Sequence, residues 1–98
     1  MIVAITGSSG FVGQHLCEYL RGLGHVVIGI DRTGAIPCDI TDPVSVAETL
    51  SASSPEVVFH LAAMTHVGKS WSDPQLTWRV NTEGTLNVLL GAEQAGVR

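Results

Sequence analysis

Charged residues are scarce in this 98-residue chain, and basic residues are the scarcest of all. Charged side chains make up 14% of the sequence, with five Lys and Arg against nine Asp and Glu, which gives a net charge of −4. Nucleic acids and anionic membranes both call for a basic face on the protein. We therefore expect neither as a partner. An anionic cofactor is still compatible with this charge, because backbone N–H groups can hold a phosphate without any basic side chain.

Long apolar runs are also missing. No stretch approaches the ~20 residues that a membrane-spanning helix needs, and the first residues contain no basic segment of the kind that opens a signal peptide. Cysteine is rare, and the spacing of Cys17 and Cys38 matches neither a zinc site nor a disulfide framework. We expect both cysteines to be reduced and buried in a cytoplasmic protein, and we expect no metal site.

Apolar residues and glycine are abundant, and they are arranged in a regular order. Hydrophobic residues make up 45% of the chain, which also has eleven glycines. Continuous apolar runs predict strands at residues 2–6, 26–30 and 57–61, and a short strand at 35–38 whose proline suits a sheet edge. Helical spacing predicts helices from 11 to about 22–24, from Pro43 to about 50–52, and from Pro74 to near Gly96, the last two capped by Asp42 and Asp73. This alternation predicts one α/β domain, a parallel sheet with helices on both faces.

The strongest motif connects the first predicted strand to the first predicted helix. Residues 6–13 read Thr-Gly-Ser-Ser-Gly-Phe-Val-Gly. Gly7 permits the tight turn, Gly10 lets the backbone approach a pyrophosphate, and Gly13 allows the helix to pack closely on the sheet. The N–H groups at the helix start would then face the phosphates. The motif lacks the Gly-Lys-Ser/Thr ending of a P-loop, so it predicts a Rossmann-type dinucleotide site; a plain glycine turn is the simpler alternative.

A second marker supports the dinucleotide interpretation. Asp31 ends the second predicted strand, eighteen residues beyond Gly13, close to the ~20 expected for the carboxylate that binds a ribose 2′-OH. That carboxylate favours NAD(H), because it would repel the 2′-phosphate of NADP. The neighbouring Arg32 could pair with such a phosphate, or it could be a solvated loop charge. The predicted cofactor is NAD(P), with NAD(H) favoured.

The glycine spacing, Gly-x-x-Gly-x-x-Gly, resembles that of the extended short-chain dehydrogenases/reductases, the NAD-dependent epimerases and dehydratases of nucleotide sugars. Further matches cover essentially the whole chain in the family's order: Cys-Asp-Ile-Thr-Asp at 38–42, His-Leu-Ala-Ala at 60–63, Ser-Trp-x-Asp-Pro at 70–74 and Asn-Thr-x-Gly-Thr-x-Asn at 81–87. The Ser-Trp-x-Asp-Pro segment is most similar to GDP-6-deoxy-mannose reductases and GDP-mannose dehydratases. Residues 66–70 also resemble the dTDP-glucose dehydratases.

The resemblance implies a role for each matching residue. Three of them also have simpler structural explanations: Asp39 can start a turn, Ser70 can cap or turn, and His60 on an apolar strand suits a hydrogen-bonded core histidine. His66 could face either the nicotinamide or solvent. The implied cofactor-binding residues are Gly7, Gly10, Phe11, Val12 and Gly13 at the pyrophosphate, Asp31 and Arg32 at the ribose, Asp39 and Ile40 at the adenine, and Leu61, Ala62, Ala63 and Thr65 along the cofactor. Ser70 is the implied sugar contact.

The catalytic pair of the family has no counterpart in these residues. The family uses a Ser/Thr with Tyr-x-x-x-Lys, in which the lysine lowers the tyrosine pKa so that the phenolate can accept a proton. Tyr19 and Lys69 are the only tyrosine and lysine here, and they lie far apart in sequence. We expect the 98 residues to be the N-terminal cofactor-binding portion of such an enzyme, without turnover of their own. We also expect them to be marginally stable or self-associating.

The complete enzyme implied by the resemblance is a homodimer that moves hydride between NAD(P) and a carbon of a nucleotide sugar. Two alternatives remain open from the sequence. One is a non-catalytic module that senses NAD(P) and regulates a partner. The other is a short-chain reductase of non-sugar carbonyls, which the Ser-Trp-x-Asp-Pro segment argues against by analogy.

Overall fold

A three-stranded parallel sheet forms the centre of the molecule. The computed structural model describes residues 1–32, 37–62 and 72–97. Strands β1 (Ile2–Thr6), β2 (Val26–Ile30) and β3 (Val57–His60) lie in the order β2-β1-β3. Val3 of β1 pairs with Val27 on one side and with Val57 on the other. The predicted parallel α/β arrangement is confirmed.

Four α-helices accompany the strands in the described residues. They are α1 (Phe11–Gly22), α2 (Pro43–Ser53), α3 (Pro74–Trp78) and α4 (Gly84–Gln94). The two predicted caps are present, since the Asp42 carboxylate accepts hydrogen bonds from Val44 N and Ser45 N, and the Asp73 carboxylate accepts one from Leu76 N. Each cap satisfies N–H groups that the first helical turn leaves without partners.

Glycines in the left-handed conformation end α1 and α4. Gly24 has φ +89° and Gly96 has φ +78°. After α1, the N–H of His25 bonds to the carbonyl of Leu20, and after α4 the N–H of Val97 bonds to the carbonyl of Ala92. Both are Schellman motifs, in which glycine adopts the positive φ without the steric cost of a side chain.

The alternation of side chains along β1 creates one apolar cluster on each face of the sheet. Val3 and Ile5 pack with Cys17 of α1 on one face, while Ala4 packs with Leu50 and other residues of α2 and α4 on the opposite face. Successive strand residues point to opposite faces, so a continuous apolar run is buried on both. Both cysteines are buried and unpaired, as predicted.

The predicted long helix from Pro74 is present, since residues 74–94 are helical without a break. It contains a π-helical segment, Arg79–Glu83, between α3 and α4, which the sequence did not predict. This segment leads into Gly84, where an added Cβ would lie 2.7 Å from Ile40 Cδ1. Short π-helical insertions of this kind are frequent at functional sites. Because Gly84 has no side chain, the helix can approach Ile40 closely.

Of the predicted strand at residues 35–38, the structure describes only residues 37 and 38, which form no regular strand. Pro37 forms a single isolated parallel bridge with Asp31, in which Cys38 N donates to the Asp31 carbonyl over 2.7 Å. Proline has no N–H with which to extend a ladder. Residues 35 and 36 lie outside the described residues. Within the described ranges, no helix is both long and apolar enough to cross a membrane.

Candidate cofactor-binding site

The carboxyl ends of the three strands meet at one edge of the sheet. The chain leaves β1 through α1 to reach β2 on one side, and the later strand β3 lies on the other side of β1. The strand order therefore changes direction at β1, and ligands of open parallel sheets bind at such a switch point. A cleft opens there, and we call it the edge cleft. It is lined by Gly7, Gly10, Ile30, Asp31, Arg32, Cys38, Asp39, Ile40, Leu61, Ala62 and Val80.

The glycine loop follows β1 and forms a tight turn over the sheet edge. Gly7 has φ +69°, and a Cβ there would lie 2.8 Å from Ala62 N. Gly10 N donates to the Gly7 carbonyl over 3.1 Å. A Cβ at Gly13 would lie 2.1 Å from that same carbonyl oxygen. The loop thus admits no side chain at Gly7 or Gly13 in its present shape.

The start of α1 lies beside the edge cleft, and its N-cap Gly10 is part of the lining. Gly10 is the N-cap and has no side chain with which to cap the helix. The first intrahelical bond runs from Gln14 N to the Gly10 carbonyl, so the preceding amides of the first turn have no intrahelical acceptor. Together with the helix dipole, they form a site suited to a phosphate.

Asp31 lies just beyond the end of β2, with its carboxylate against the glycine loop. One oxygen accepts a hydrogen bond from Ser9 N at 3.0 Å, and the other accepts one from Arg32 N at 2.7 Å. An ionised carboxylate has about four acceptor positions, so it can hold the loop and still bind ribose hydroxyls. Asp31, which the sequence singles out by its distance from Gly13, therefore contacts the glycine loop directly.

Asp39 and Ile40 form the far end of the edge cleft. Thr41 donates to Asp39 Oδ1 through its hydroxyl at 2.7 Å and its N–H at 2.9 Å. The hydroxyl bond and then the N–H bond hold the pKa of Asp39 below its usual value, and the positive charges of Arg32 and Arg79 lower this pKa further. Asp39 therefore starts a turn, as the simpler explanation held, and it also lines the cleft.

The backbone after β3 is fixed by a buried hydroxyl group. Thr6, only 1% exposed, accepts at Oγ1 the N–H groups of Leu61 at 3.0 Å and Ala62 at 3.1 Å. Its Oγ1 also lies 2.7 Å from Nδ1 of His60, whose Nε2 lies 2.9 Å from Thr85 Oγ1. His60 is thus a half-buried histidine with both ring nitrogens hydrogen-bonded, which agrees with the simpler structural explanation.

Burial of the imidazole predicts a pH dependence of stability. Desolvation lowers the pKa of His60 below its ordinary value, so the unfolded chain takes up a proton on this histidine more readily than the folded chain. Stability is then fully present above the ordinary value of about 6.5 and decreases as the pH falls from there through the folded pKa. We expect the melting temperature to fall between pH 7 and 5 more steeply for the wild type than for His60→Gln. Equal slopes for the two chains would contradict this.

The edge cleft contains most of the cofactor residues that the sequence predicted. Eight line it: Gly7, Gly10, Asp31, Arg32, Asp39, Ile40, Leu61 and Ala62. Phe11, Val12 and Gly13 form the first turn of α1 beside it, with the Phe11 side chain 82% exposed. Ala63, Thr65 and Ser70 lie outside the described residues. Tyr19 is 66% exposed on α1 and is not part of the cleft lining.

Three lining residues were not predicted from the sequence. Ile30 and Cys38 directly precede the predicted Asp31 and Asp39 in the chain, which is the signal that could have indicated them. Val80 has no such signal, because the packing of the π-helical segment brings it to the cleft. Among residues 1–32, 37–62 and 72–97, no group of three or more His, Cys, Asp or Glu could hold a metal ion.

A glycine loop that opens a helix at the switch point of a parallel sheet, with a carboxylate ending the next strand, defines the Rossmann class of α/β folds. Residues 3–98 match the family model described as the NAD dependent epimerase/dehydratase family. The chain belongs to this family.

Individual relatives are consistent with that assignment. The chain is 33% identical to a UDP-glucose 4-epimerase of Mycolicibacterium smegmatis, over 100% of its own length and 36% of the relative. It is 35% identical to a GDP-6-deoxy-D-mannose reductase of Pseudomonas aeruginosa, over 94% of its own length and 29% of the relative. The chain therefore spans about a third of the length of these relatives.

Solved structures show the same fold. A Thermus thermophilus UDP-glucose 4-epimerase in complex with NAD superimposes with a TM-score of 0.92 at 34% identity, covering 100% of this chain and 35% of that one. A dTDP-4-dehydrorhamnose reductase of Bacillus anthracis in complex with NADP gives a TM-score of 0.87 at 27% identity, covering 99% and 34%.

Proposed function

We propose that this chain binds NAD(P) in the edge cleft, as the cofactor-binding portion of a nucleotide-sugar epimerase, dehydratase or reductase. One observation carries the proposal: the glycine loop before α1 and Asp31 line the same cleft, and the Ser9–Asp31 hydrogen bond joins the loop to the carboxylate. A phosphate site next to a ribose acceptor matches the adjacent pyrophosphate and ribose of an adenosine diphosphate group.

Each part of the cofactor has a counterpart along the cleft. The pyrophosphate would lie against the N–H groups of the glycine loop and the first turn of α1, and the ribose hydroxyls would donate to Asp31. The adenine would lie between Asp39 and Ile40, where the apolar side chain offers a face and the carboxylate an acceptor. The cofactor would then continue past Leu61, Ala62, Ala63 and Thr65.

NAD(H) is the cofactor that the charges at the ribose favour. A 2′-phosphate would meet the carboxylate of Asp31, which the Ser9 and Arg32 amides fix in place. Arg32 is exposed and could offset only part of that repulsion, because an exposed ion pair contributes about 1 kcal/mol or less.

The complete enzyme would transfer hydride between NAD(P) and a sugar carbon, with Ser70 contacting the sugar. The named relatives are enzymes of UDP-, GDP- and dTDP-linked sugars, which supports a nucleotide sugar as the substrate class. The catalytic Tyr-x-x-x-Lys pair and the substrate-binding part would come from outside these 98 residues. We propose a cytoplasmic homodimer for the complete enzyme.

Calorimetric titration of the purified chain with NADH tests the cofactor proposal. We expect saturable binding at one site, weaker for NADPH. In Asp31→Asn the NADH affinity should fall about tenfold, because a hydrogen bond to a charged group contributes about 1.5–3 kcal/mol. The preference over NADPH should shrink in the same variant.

Asp42→Asn is the matched control for this titration. It removes an equivalent carboxylate outside the edge cleft, and asparagine caps a helix about as well as aspartate. Its NADH affinity should equal that of the wild type. A folded wild-type chain without saturable NADH binding, or an equal loss in both variants, would refute the proposed site.

A further inference from the structure

A continuous hydrogen-bond chain crosses the molecule behind the edge cleft. It runs from Thr6 Oγ1 to His60 Nδ1 over 2.7 Å, from His60 Nε2 to Thr85 Oγ1 over 2.9 Å, and from Thr85 Oγ1 to the Asn81 carbonyl over 2.9 Å. This chain of hydrogen bonds therefore connects β1, β3 and α4 with the π-helical segment.

The count of protons and lone pairs fixes the direction of this chain. Thr6 Oγ1 already accepts two backbone N–H groups, so its two lone pairs are used and its single proton goes to His60 Nδ1. The imidazole proton then resides on Nε2, which donates to Thr85, and the Thr85 hydroxyl donates to the Asn81 carbonyl. Only the neutral Nε2–H tautomer satisfies every bond, and the lowered pKa of His60 agrees with a neutral ring.

One end of the hydrogen-bond chain reaches the lining of the edge cleft, and the other end lies one residue away from it in sequence. At one end, the two N–H groups held by Thr6 belong to Leu61 and Ala62, which line the cleft and against which Gly7 packs. At the other end, Asn81 follows Val80, which also lines the cleft. The imidazole is hydrogen-bonded on both sides between these two parts of the chain.

We propose that His60 is a positioning residue of the cofactor cleft, and that its Nε2–H tautomer sets the distance between the Leu61–Ala62 backbone and the π-helical segment. This inference rests on the proposed cofactor binding. His60 does not touch the cofactor or exchange a proton with substrate in this role; it acts through Thr6 on one side and Thr85 on the other.

The tautomer is measured by nitrogen-15 NMR on chain labelled at histidine, at a pH where the ring is neutral. We expect the His60 ring to show a protonated Nε2 and an unprotonated Nδ1. A ring protonated at Nδ1, or a rapidly averaging mixture of tautomers, would contradict the direction assigned to these hydrogen bonds.

Thr85→Val and Thr85→Ser separate the positioning role from packing. Valine keeps the shape of threonine and removes the hydroxyl, so the His60 Nε2–H loses its acceptor while Thr6 still donates to Nδ1. The His60 Nε2 signal and the amide signals of Leu61 and Ala62 should therefore move. The NADH dissociation constant should rise about threefold to tenfold, the effect of one lost hydrogen bond. Serine keeps the hydroxyl, and all three readouts should stay at their wild-type values.

The outcomes distinguish this inference from the proposed function. If the wild type binds NADH and Thr85→Val binds it equally well while folded by circular dichroism, the positioning role is wrong. If the wild type shows the Nε2–H tautomer but binds no NADH, the proposed function is wrong, and the positioning role for a cofactor is wrong with it.

Discussion

Replacing Gly13 with alanine is expected to abolish detectable NADH binding and to destabilise the fold by about 3 kcal/mol, at the upper end of the cost of inserting a methyl group into a packed interior. The added Cβ would lie 2.1 Å from the Gly7 carbonyl oxygen and 2.9 Å from Ser8 Cα. Both are backbone atoms, so no side chain can rotate away. Either α1 must move away from the sheet or the loop must open, and each change displaces the N–H groups proposed to hold the pyrophosphate.

Gly22→Ala is the control for that substitution, because Gly22 belongs to the same helix and an added Cβ there meets nothing within 4 Å. Alanine should leave NADH affinity unchanged and stabilise the helix end by up to about 1 kcal/mol. Urea denaturation gives the stability, and calorimetric titration gives the affinity. Gly13→Ala chains that bind NADH within threefold of the wild type would show that the loop does not hold the cofactor as proposed.

The sheet and its two layers of helices could be predicted because local and global preferences agree there. The apolar run of β1 has to be buried on both faces, and Asp42 and Asp73 cap the helices that their prolines begin. Gly24 and Gly96 end helices at the predicted places. Where a sequence pattern is compatible with only one local structure, the sequence alone is sufficient to predict that structure.

The π-helical segment within the last helix could not be predicted, since no proline or glycine lies inside residues 79–83 to indicate it. The residues directly after it make tertiary contacts that the sequence pattern does not show: an added Cβ at Gly84 would meet Ile40, and Asn87 donates to the Ile40 carbonyl over 2.8 Å. Around Pro37 the apolar pattern predicts a strand, but residues 37 and 38 form only an isolated bridge with Asp31, because proline has no N–H with which to extend a ladder.

The residues of the candidate site also divide into those that the sequence predicts and those that it does not. Gly7, Gly10 and Asp31 could be predicted because their roles are local to a turn or a strand end. Val80 and the link between His60 and Thr85 depend on which helix packs against which strand, and single-sequence patterns carry no such information. The apolar strand around His60 favours a hydrogen-bonded histidine, but only the structure shows that its partners are Thr6 and Thr85.

The second large effect is expected at Thr6, where valine should destabilise the chain by about 2–4 kcal/mol. Valine matches the shape of threonine, so the cost comes from the lost hydroxyl and not from a cavity. Leu61 N keeps a second acceptor, the Thr6 carbonyl at 3.2 Å, but Ala62 N and His60 Nδ1 each lose the hydroxyl. A buried polar group left without its partner costs about 1–3 kcal/mol.

Two variants show whether the hydroxyl is responsible. Thr6→Ser keeps the hydroxyl and should lose only the burial of one methyl group, about 0.8 kcal/mol. Thr49→Val removes a hydroxyl that bonds to the Ser45 carbonyl within its own helix, where the backbone keeps its helical bond, so its effect should stay below about 1 kcal/mol. Similar losses for Thr6→Val and Thr49→Val in urea denaturation would contradict the argument. A large loss confined to Thr6→Val would mean that a single buried oxygen joins the end of β1 to the backbone after β3, and that the floor of the cleft depends on it.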